Sequence, residues 1–156
     1  MELVPARFHS RFLWWEGAKT FLLATGLAAA VPTLLTGEMA ADAVGSAIDH
    51  AVLEKHELFA ALTVWIFAIL GAAYLVRTFA RYGWGEMVVA RVMNGKLAPI
   101  WRIKQRASSW ILDTPIRPLM AIVGMITITI TGALGAAMVY GPQVDPVVTF
   151  IYNLIF

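Results

Sequence analysis

Side chains capable of chemistry gather between the first two apolar segments of this chain. His50, Glu54 and Glu57 follow one another at spacings of four and three residues, which places them on one face of a helix. Imidazole and carboxylate groups at such spacings can ligate divalent metals. We therefore predict a candidate metal site formed by Glu38, His50, His56 and Glu57. The alternative is an acidic helix that simply faces water.

A haem b held between helices is a second hypothesis, because neutral imidazoles can supply both axial ligands. No histidine lies inside an apolar segment, and the topology described below puts His9 on the opposite side from His50 and His56. A haem would use His56 together with His50, with a non-histidine ligand or with a residue of another chain. The predicted cofactor-binding residues are His56, His50 and Tyr140. The chain has no cysteine, which excludes covalent haem attachment and thiolate metal sites within it.

Three long apolar segments must position these residues. They cover residues 20–37, 58–76 and 119–144 in a chain that is 60% hydrophobic and has a mean hydropathy of +0.72. About 20 residues of helix cross the hydrocarbon layer of a bilayer. We therefore expect an all-α membrane protein, a single domain over residues 1–156, with three transmembrane helices.

The basic residues predict the orientation of the three spans. Lysine and arginine dominate the amino-terminal segment and the connection between spans two and three, whereas the first connection is acidic and the carboxyl-terminal tail has only Asp145. By the positive-inside rule the amino terminus lies inside and the carboxyl terminus outside. This pattern predicts a multi-pass protein of an inner (cytoplasmic) membrane. It fits the lipid bilayer better than nucleic acid as the partner of the positive charge.

The segments between the spans are predicted to be amphipathic helices at the membrane surface. They cover residues 8–19, 40–55, 84–112 and 146–156. The stretch 40–55 is expected to form a helix leading into the second span. The uncharged tail 146–156 is too short to span, so we expect an interfacial or re-entrant helix packed against a neighbour.

Several function classes are disfavoured by what the sequence lacks. No ionisable residue lies near the middle of a span, as proton or ion translocation normally requires. No nucleophile–base pair or phosphate-binding glycine loop stands out. We therefore expect neither a transporter acting alone nor an enzyme.

Short motifs at the predicted outer ends of the spans resemble a known family. They are Thr36-Gly37-Glu38-x-Ala40, Glu54-x-His56-Glu57 and Thr131-Gly132-x-Leu134-Gly135-x-x-x-Val139-Tyr140-Gly141. In these motifs residues 20–144 resemble a bacterial family of small membrane proteins, domain of unknown function 2231. The resemblance implies a bacterial inner membrane, a four-helix core and a place beside cytochromes or other electron-transfer modules. The family's usual first helix, which opens with a histidine-proline pair, is not recognisable in this chain. A histidine often found in that family after the last Thr-Gly pair is Ala133 here, which removes one candidate haem ligand.

Together these patterns favour an accessory subunit of a larger membrane complex, with other membrane-protein subunits as partners. An electron-transfer or photosynthetic complex is the expected kind. A haem b protein that uses His56 is the first alternative. A divalent-metal site at the outer face is the second.

Overall fold

A computed structural model describes residues 15–44, 49–92 and 98–156. Residues 8–14 of the first predicted interfacial segment, with His9, lie outside the described residues, as do residues 93–97. The described part of the chain is all-helical. Its helices, in chain order, are α1 (Trp15–Val44), α2 (His50–Arg81), α3 (Trp84–Val92), α4 (Ala98–Asp113), α5 (Ile116–Tyr140) and α6 (Pro146–Ile155).

Three of these helices, α1, α2 and α5, are long and apolar enough to cross a membrane. By length and composition, the described residues therefore contain the three helices that the sequence predicts as spans. The helices extend beyond the uncharged segments 20–37 and 58–76 at both ends. Charged residues end a hydrophobic segment without ending a helix, because the backbone hydrogen bonds continue into the polar region.

Two predicted boundaries are corrected by the structure. Residues 40–55 do not form one helix: α1 ends at Val44 and α2 begins at His50. Asp49 caps α2, because its Oδ1 accepts the Ala51 N–H at 2.9 Å. The third span ends at Tyr140 rather than residue 144, because Gly141 adopts a left-handed φ of 90° that stops the helix.

The chain divides into two compact units. The first contains Met1–Leu27 and Phe67–Ala121, and the second contains Ala28–Ile66 and Ile122–Phe156. In the first unit α1 and α2 approach closely at Gly71, where an added Cβ would lie 2.7 Å from the Leu27 Cδ1.

The core of the first unit joins α2 to α4. Ala73, Tyr74 and Leu112 are buried together. Ser108, also buried, donates its hydroxyl hydrogen to the Ala73 carbonyl at 2.7 Å. This bond fixes α4 against α2 one turn before Arg77, the first charged residue after the apolar segment.

The helices α3 and α4 form a contact of their own within the first unit. Trp101 covers Gly85 so closely that a Cβ there would overlap the indole ring. Glu86 Oε1 accepts hydrogen bonds from Trp101 Nε1 at 3.4 Å and Gln105 Nε2 at 3.1 Å. The predicted segment 84–112 is therefore two helices with their own packing contact.

The second unit contains a helical hairpin formed by α5 and α6. Asp145 caps α6 by accepting the N–H groups of Val147 and Val148. The two helices then pack through a cluster of small and branched residues, Ala133, Ala137, Val148 and Ile151. The neighbour of the apolar tail is therefore the third long helix of the same chain.

Candidate functional site

Among the predicted site residues, His56 on α2 contacts a second helix, α5. Its Nδ1 lies 3.0 Å from the carbonyl oxygen of Thr131 on α5. An added Cβ at Gly135 would lie only 3.3 Å from the His56 Cε1. The imidazole of α2 thus packs on α5 where glycine leaves room for the ring. An imidazole at the start of an apolar segment needs a hydrogen-bond partner, and the Thr131 carbonyl supplies it.

This bond defines the chemistry of the ring. A carbonyl oxygen only accepts hydrogen bonds, so Nδ1 carries the proton, and whenever the ring is neutral its lone pair is on Nε2. Among the described residues, Nε2 makes no hydrogen bond. A histidine that donates Nδ1–H to a backbone carbonyl and presents Nε2 has the arrangement typical of metal-ligating histidines.

The His56 contact lies deep along α5. Thr131 is nine residues before Tyr140, a distance of about 13 Å along the helix. Tyr140 is also 73% exposed. The structure therefore does not bring Tyr140 to the ring of His56.

The other predicted ligands are exposed side chains. Glu38, His50 and Glu57 are all exposed. Within the described residues, no group of three or more histidine, aspartate and glutamate side chains could hold a metal ion. The predicted set of Glu38, His50, His56 and Glu57 is therefore not assembled in this structure.

His50 and His56 cannot serve one iron from the same helix. They are six residues apart on α2, which separates them by about 9 Å along the axis and by about 120° around it. Ala133, where the resembling family often has histidine, is buried against the α6 cluster. An imidazole at that position would need the space that α6 occupies.

A second group of polar residues lies in the first unit and was not predicted as a cluster. The Arg77 guanidinium pairs with Asp113 and lies 4.0 Å from Glu16, and Arg81 lies 3.9 Å from the same glutamate. Buried Lys19 places its Nζ 5.8 Å from the centre of the Tyr74 ring. The sequence signal for this cluster is that Glu16 and Asp113 are isolated acids among basic residues.

The threonines inside the apolar segments of α1 and α5 donate hydrogen bonds to backbone carbonyls of their own helices. Thr25 and Thr33 donate to carbonyls four residues earlier. Thr127, Thr129 and Thr131 do the same within one helical turn on α5. Their hydroxyl hydrogens are thus engaged locally.

The structure perturbs the ionisation of Glu86. Its own backbone N–H, and then Trp101 and Gln105, stabilise the ionised carboxylate and lower the pKa of Glu86 below its usual range. The side chain is exposed, so this is a local effect on the contact between α3 and α4.

The chain matches no protein-family model, no curated protein and no solved structure.

Proposed function

We propose that this chain is an accessory integral membrane subunit of a larger membrane complex. The observation that carries the proposal is the exposure of α1. Every residue from 31 to 40 is exposed, over almost three turns of helix. In the most apolar 18-residue window of each long helix, 6% of α1 is buried by the chain, against 28% for α2 and for α5.

The exposed helix has a face suited to another helix. Gly26, Ala30, Thr33 and Gly37 recur at spacings of four, three and four residues, so they share one side of α1. An added Cβ at Gly26 or at Gly37 would meet nothing within 4 Å. Small residues let membrane helices approach closely, which gives the van der Waals contact that drives their association.

Glu38 adds a polar reason for a partner. It is exposed beside Gly37 near the end of α1. Ionisable residues of membrane helices usually face a protein neighbour or water. A partner subunit at this end of α1 would supply such surroundings.

The charge pattern supports an amino terminus inside and a carboxyl terminus outside. The resemblance to a bacterial family supports a bacterial inner membrane. The resemblance to domain of unknown function 2231 supports an electron-transfer or photosynthetic complex as the destination. Exposed apolar helices and a resemblance to proteins that occur beside cytochromes together favour a structural role over an enzymatic one.

Co-purification tests the proposal. The full chain is isolated from native membranes in mild detergent, as wild type and as Gly26→Ile and Gly37→Ile variants. The matched control is Gly17→Ile, because Gly17 is nine residues from Gly26, on the opposite side of α1, and also has open space beside it. We expect defined partner subunits with the wild type and the control, and their loss with Gly26→Ile or Gly37→Ile.

Isolation of the wild type as a lone monomer would contradict this function. Equal loss of partners in all three variants would contradict the assignment of the face. A complex made only of copies of this chain would also contradict the accessory role. The absorption spectrum of the purified complex then tests the expected electron-transfer or photosynthetic setting.

A second candidate function, haem b binding, is favoured by the Nδ1 bond of His56. That bond leaves Nε2 as the ligating nitrogen. His50 cannot bind the same iron, so the second axial ligand would be a non-histidine residue or a residue of another chain. A bound haem would supply one-electron transfer.

A pyridine haemochrome assay on the purified complex tests this candidate. We expect haem b in the wild type and its loss in His56→Ala. His50→Ala is the control and should keep the haem. The absence of haem from the intact complex would exclude the candidate and leave the structural role standing.

A further inference from the structure

The helix α4 has an inward face that the chain covers. Trp101 lies on Gly85, Ser108 bonds to Ala73, and Leu112 is buried. These residues fix the helix against α2 and α3. The rotation of α4 about its axis is therefore set by contacts within the first unit.

The opposite face of α4 is apolar and uncovered. Ile100, Ile103, Ala107 and Trp110 recur at spacings of three, four and three residues, so they share one side of the helix. Ile100, Ile103 and Trp110 are 47%, 64% and 62% exposed. A tryptophan and two isoleucines on one face make an apolar surface that needs contact outside the chain.

Basic side chains border this apolar face on both edges. At 100° per residue, Arg102 and Arg106 fall along one edge and Lys104 falls along the other. All three are exposed. Long basic side chains placed in this way can keep their stems on an apolar layer while their charged ends reach phosphate groups.

The acidic residues near this face are already engaged within the first unit. Glu86 accepts hydrogen bonds from Trp101 and Gln105, and Asp113 pairs with Arg77. Among the described residues, no ion pair involves Arg102, Lys104 or Arg106. The three positive charges therefore face outward without an acidic partner in the described chain.

The helix α4 is attached to α2 near the point where the apolar sequence of α2 ends. Ser108 and Leu112 contact α2 at Ala73, and Asp113 contacts it at Arg77. Between these two positions α2 changes from apolar to charged sequence. In a helix that crosses a bilayer, such a change marks the boundary between hydrocarbon and headgroups.

We propose that α4 is a binding surface for anionic phospholipid. The apolar face of Ile100, Ile103 and Trp110 enters the acyl boundary, and Arg102, Lys104 and Arg106 bind headgroup phosphates. Opposite charge selects anionic over zwitterionic lipid, because each basic side chain near an anionic surface strengthens binding by a factor of about five. The proposed partner is therefore anionic lipid, bound by a helix whose rotation is fixed by its contacts with α2 and α3.

Native mass spectrometry of the full chain tests this proposal. The protein in detergent micelles receives equal amounts of phosphatidylglycerol and phosphatidylcholine with identical acyl chains. We expect a several-fold excess of retained phosphatidylglycerol. The variant R102Q/K104Q/R106Q should lose that excess, with an upper limit of about 100-fold weaker binding from three charges.

Two controls test whether lipid binding depends on this surface of α4 or only on the total positive charge of the protein. Lys104→Gln is compared with Lys55→Gln. Lys55 lies near the start of α2, whereas α4 contacts α2 near its end. Its substitution removes one positive charge outside the proposed surface, so this variant should retain phosphatidylglycerol as the wild type does. In nanodiscs, brominated phosphatidylglycerol should quench tryptophan fluorescence, and Trp110→Phe should reduce that quenching without abolishing it, because exposed Trp65 on α2 also contacts lipid. Circular dichroism verifies that each variant keeps its helices.

Equal retention of the two lipids by the wild type would overturn the proposal. So would unchanged phosphatidylglycerol retention in the triple variant, or equal effects of Lys104→Gln and Lys55→Gln. Loss of a co-purifying protein from the triple variant, with lipid retention unchanged, would assign the face to a protein and also overturn it.

Discussion

Gly135→Ala should behave differently from Gly132→Ala, although both glycines lie on the same helix, α5. Gly132 is exposed and an added Cβ there meets nothing within 4 Å. At Gly135 the Cβ would lie 3.3 Å from the His56 Cε1 and 3.6 Å from its Nδ1. The two substitutions change the backbone in the same way and differ in what the new methyl group meets.

The expected difference follows from the His56 bond. Replacing helical glycine with alanine stabilises a helix by about 1 kcal/mol. At Gly135 the ring must move by a few tenths of an ångström, and the 3.0 Å bond to the Thr131 carbonyl must lengthen. Interhelical hydrogen bonds in membrane proteins contribute about 0.6 kcal/mol on average and up to about 1.7. We expect Gly135→Ala to be about 1 kcal/mol less stable than Gly132→Ala.

The assay is reversible unfolding in mixed detergent micelles with increasing dodecyl sulfate, followed by circular dichroism and tryptophan fluorescence. Any helix retained in the unfolded state affects both glycine variants alike, so their difference isolates the contact with the ring. The same pair is then measured with His56→Ala. Without the imidazole, the two substitutions should have equal effects.

Equal stabilities of the two variants in the presence of His56 would refute the packing of the ring on Gly135. A difference that persists with His56→Ala would show that another neighbour of Gly135 causes it. Either result would remove the structural basis for Nε2 as a ligating nitrogen.

Three further predictions concern the other contacts. Gly85→Ala should displace the Trp101 ring and destabilise the α3–α4 contact by about 1 to 3 kcal/mol, measured by thermal unfolding. In a protein that already carries Trp101→Ala, the same substitution should cause no further loss of stability. Ionised Glu86 stabilises that contact at pH values above the carboxyl pKa of the unfolded chain, about 4.3. Because the pKa of Glu86 is lowered in the fold, this stabilisation is lost as the pH falls through the folded pKa. Between about pH 5 and pH 3 the wild type should therefore lose thermal stability relative to Glu86→Gln, and parallel pH profiles would contradict this. Asp145→Ala should remove the cap of α6 and cost about 1 kcal/mol in a dodecyl sulfate titration, whereas Asp145→Asn should retain most of the stability.

The number of long helices could be predicted from the sequence because it depends on local properties. Each apolar segment is long enough to cross the hydrocarbon layer, and its composition alone indicates this. Helix ends are set by capping, which is a finer signal. Asp49 begins α2 with its side chain, and Gly141 ends α5 with a left-handed backbone. These two residues explain why residues 40–55 do not form one helix and why the third span is shorter than predicted.

The environment of His56 could be predicted only in part. A polar ring at the start of an apolar segment requires a hydrogen-bond partner, and that requirement can be predicted from the sequence. The identity of the partner depends on how far α2 is shifted along α5, which is a non-local property. The same limit applies to α6, whose lack of charge predicted packing but did not identify α5 as the neighbour.

The bond from His56 to a main-chain carbonyl determines which substitutions this part of the protein tolerates. Every amino acid at position 131 supplies the same carbonyl, so the threonine can be exchanged without loss of the acceptor. The residue at position 135 has no such freedom, because any larger side chain enters the space of the ring. In a saturation mutagenesis screen, positions 56 and 135 should therefore both accept few residues. Position 131, which contributes only its carbonyl to the contact, should accept many.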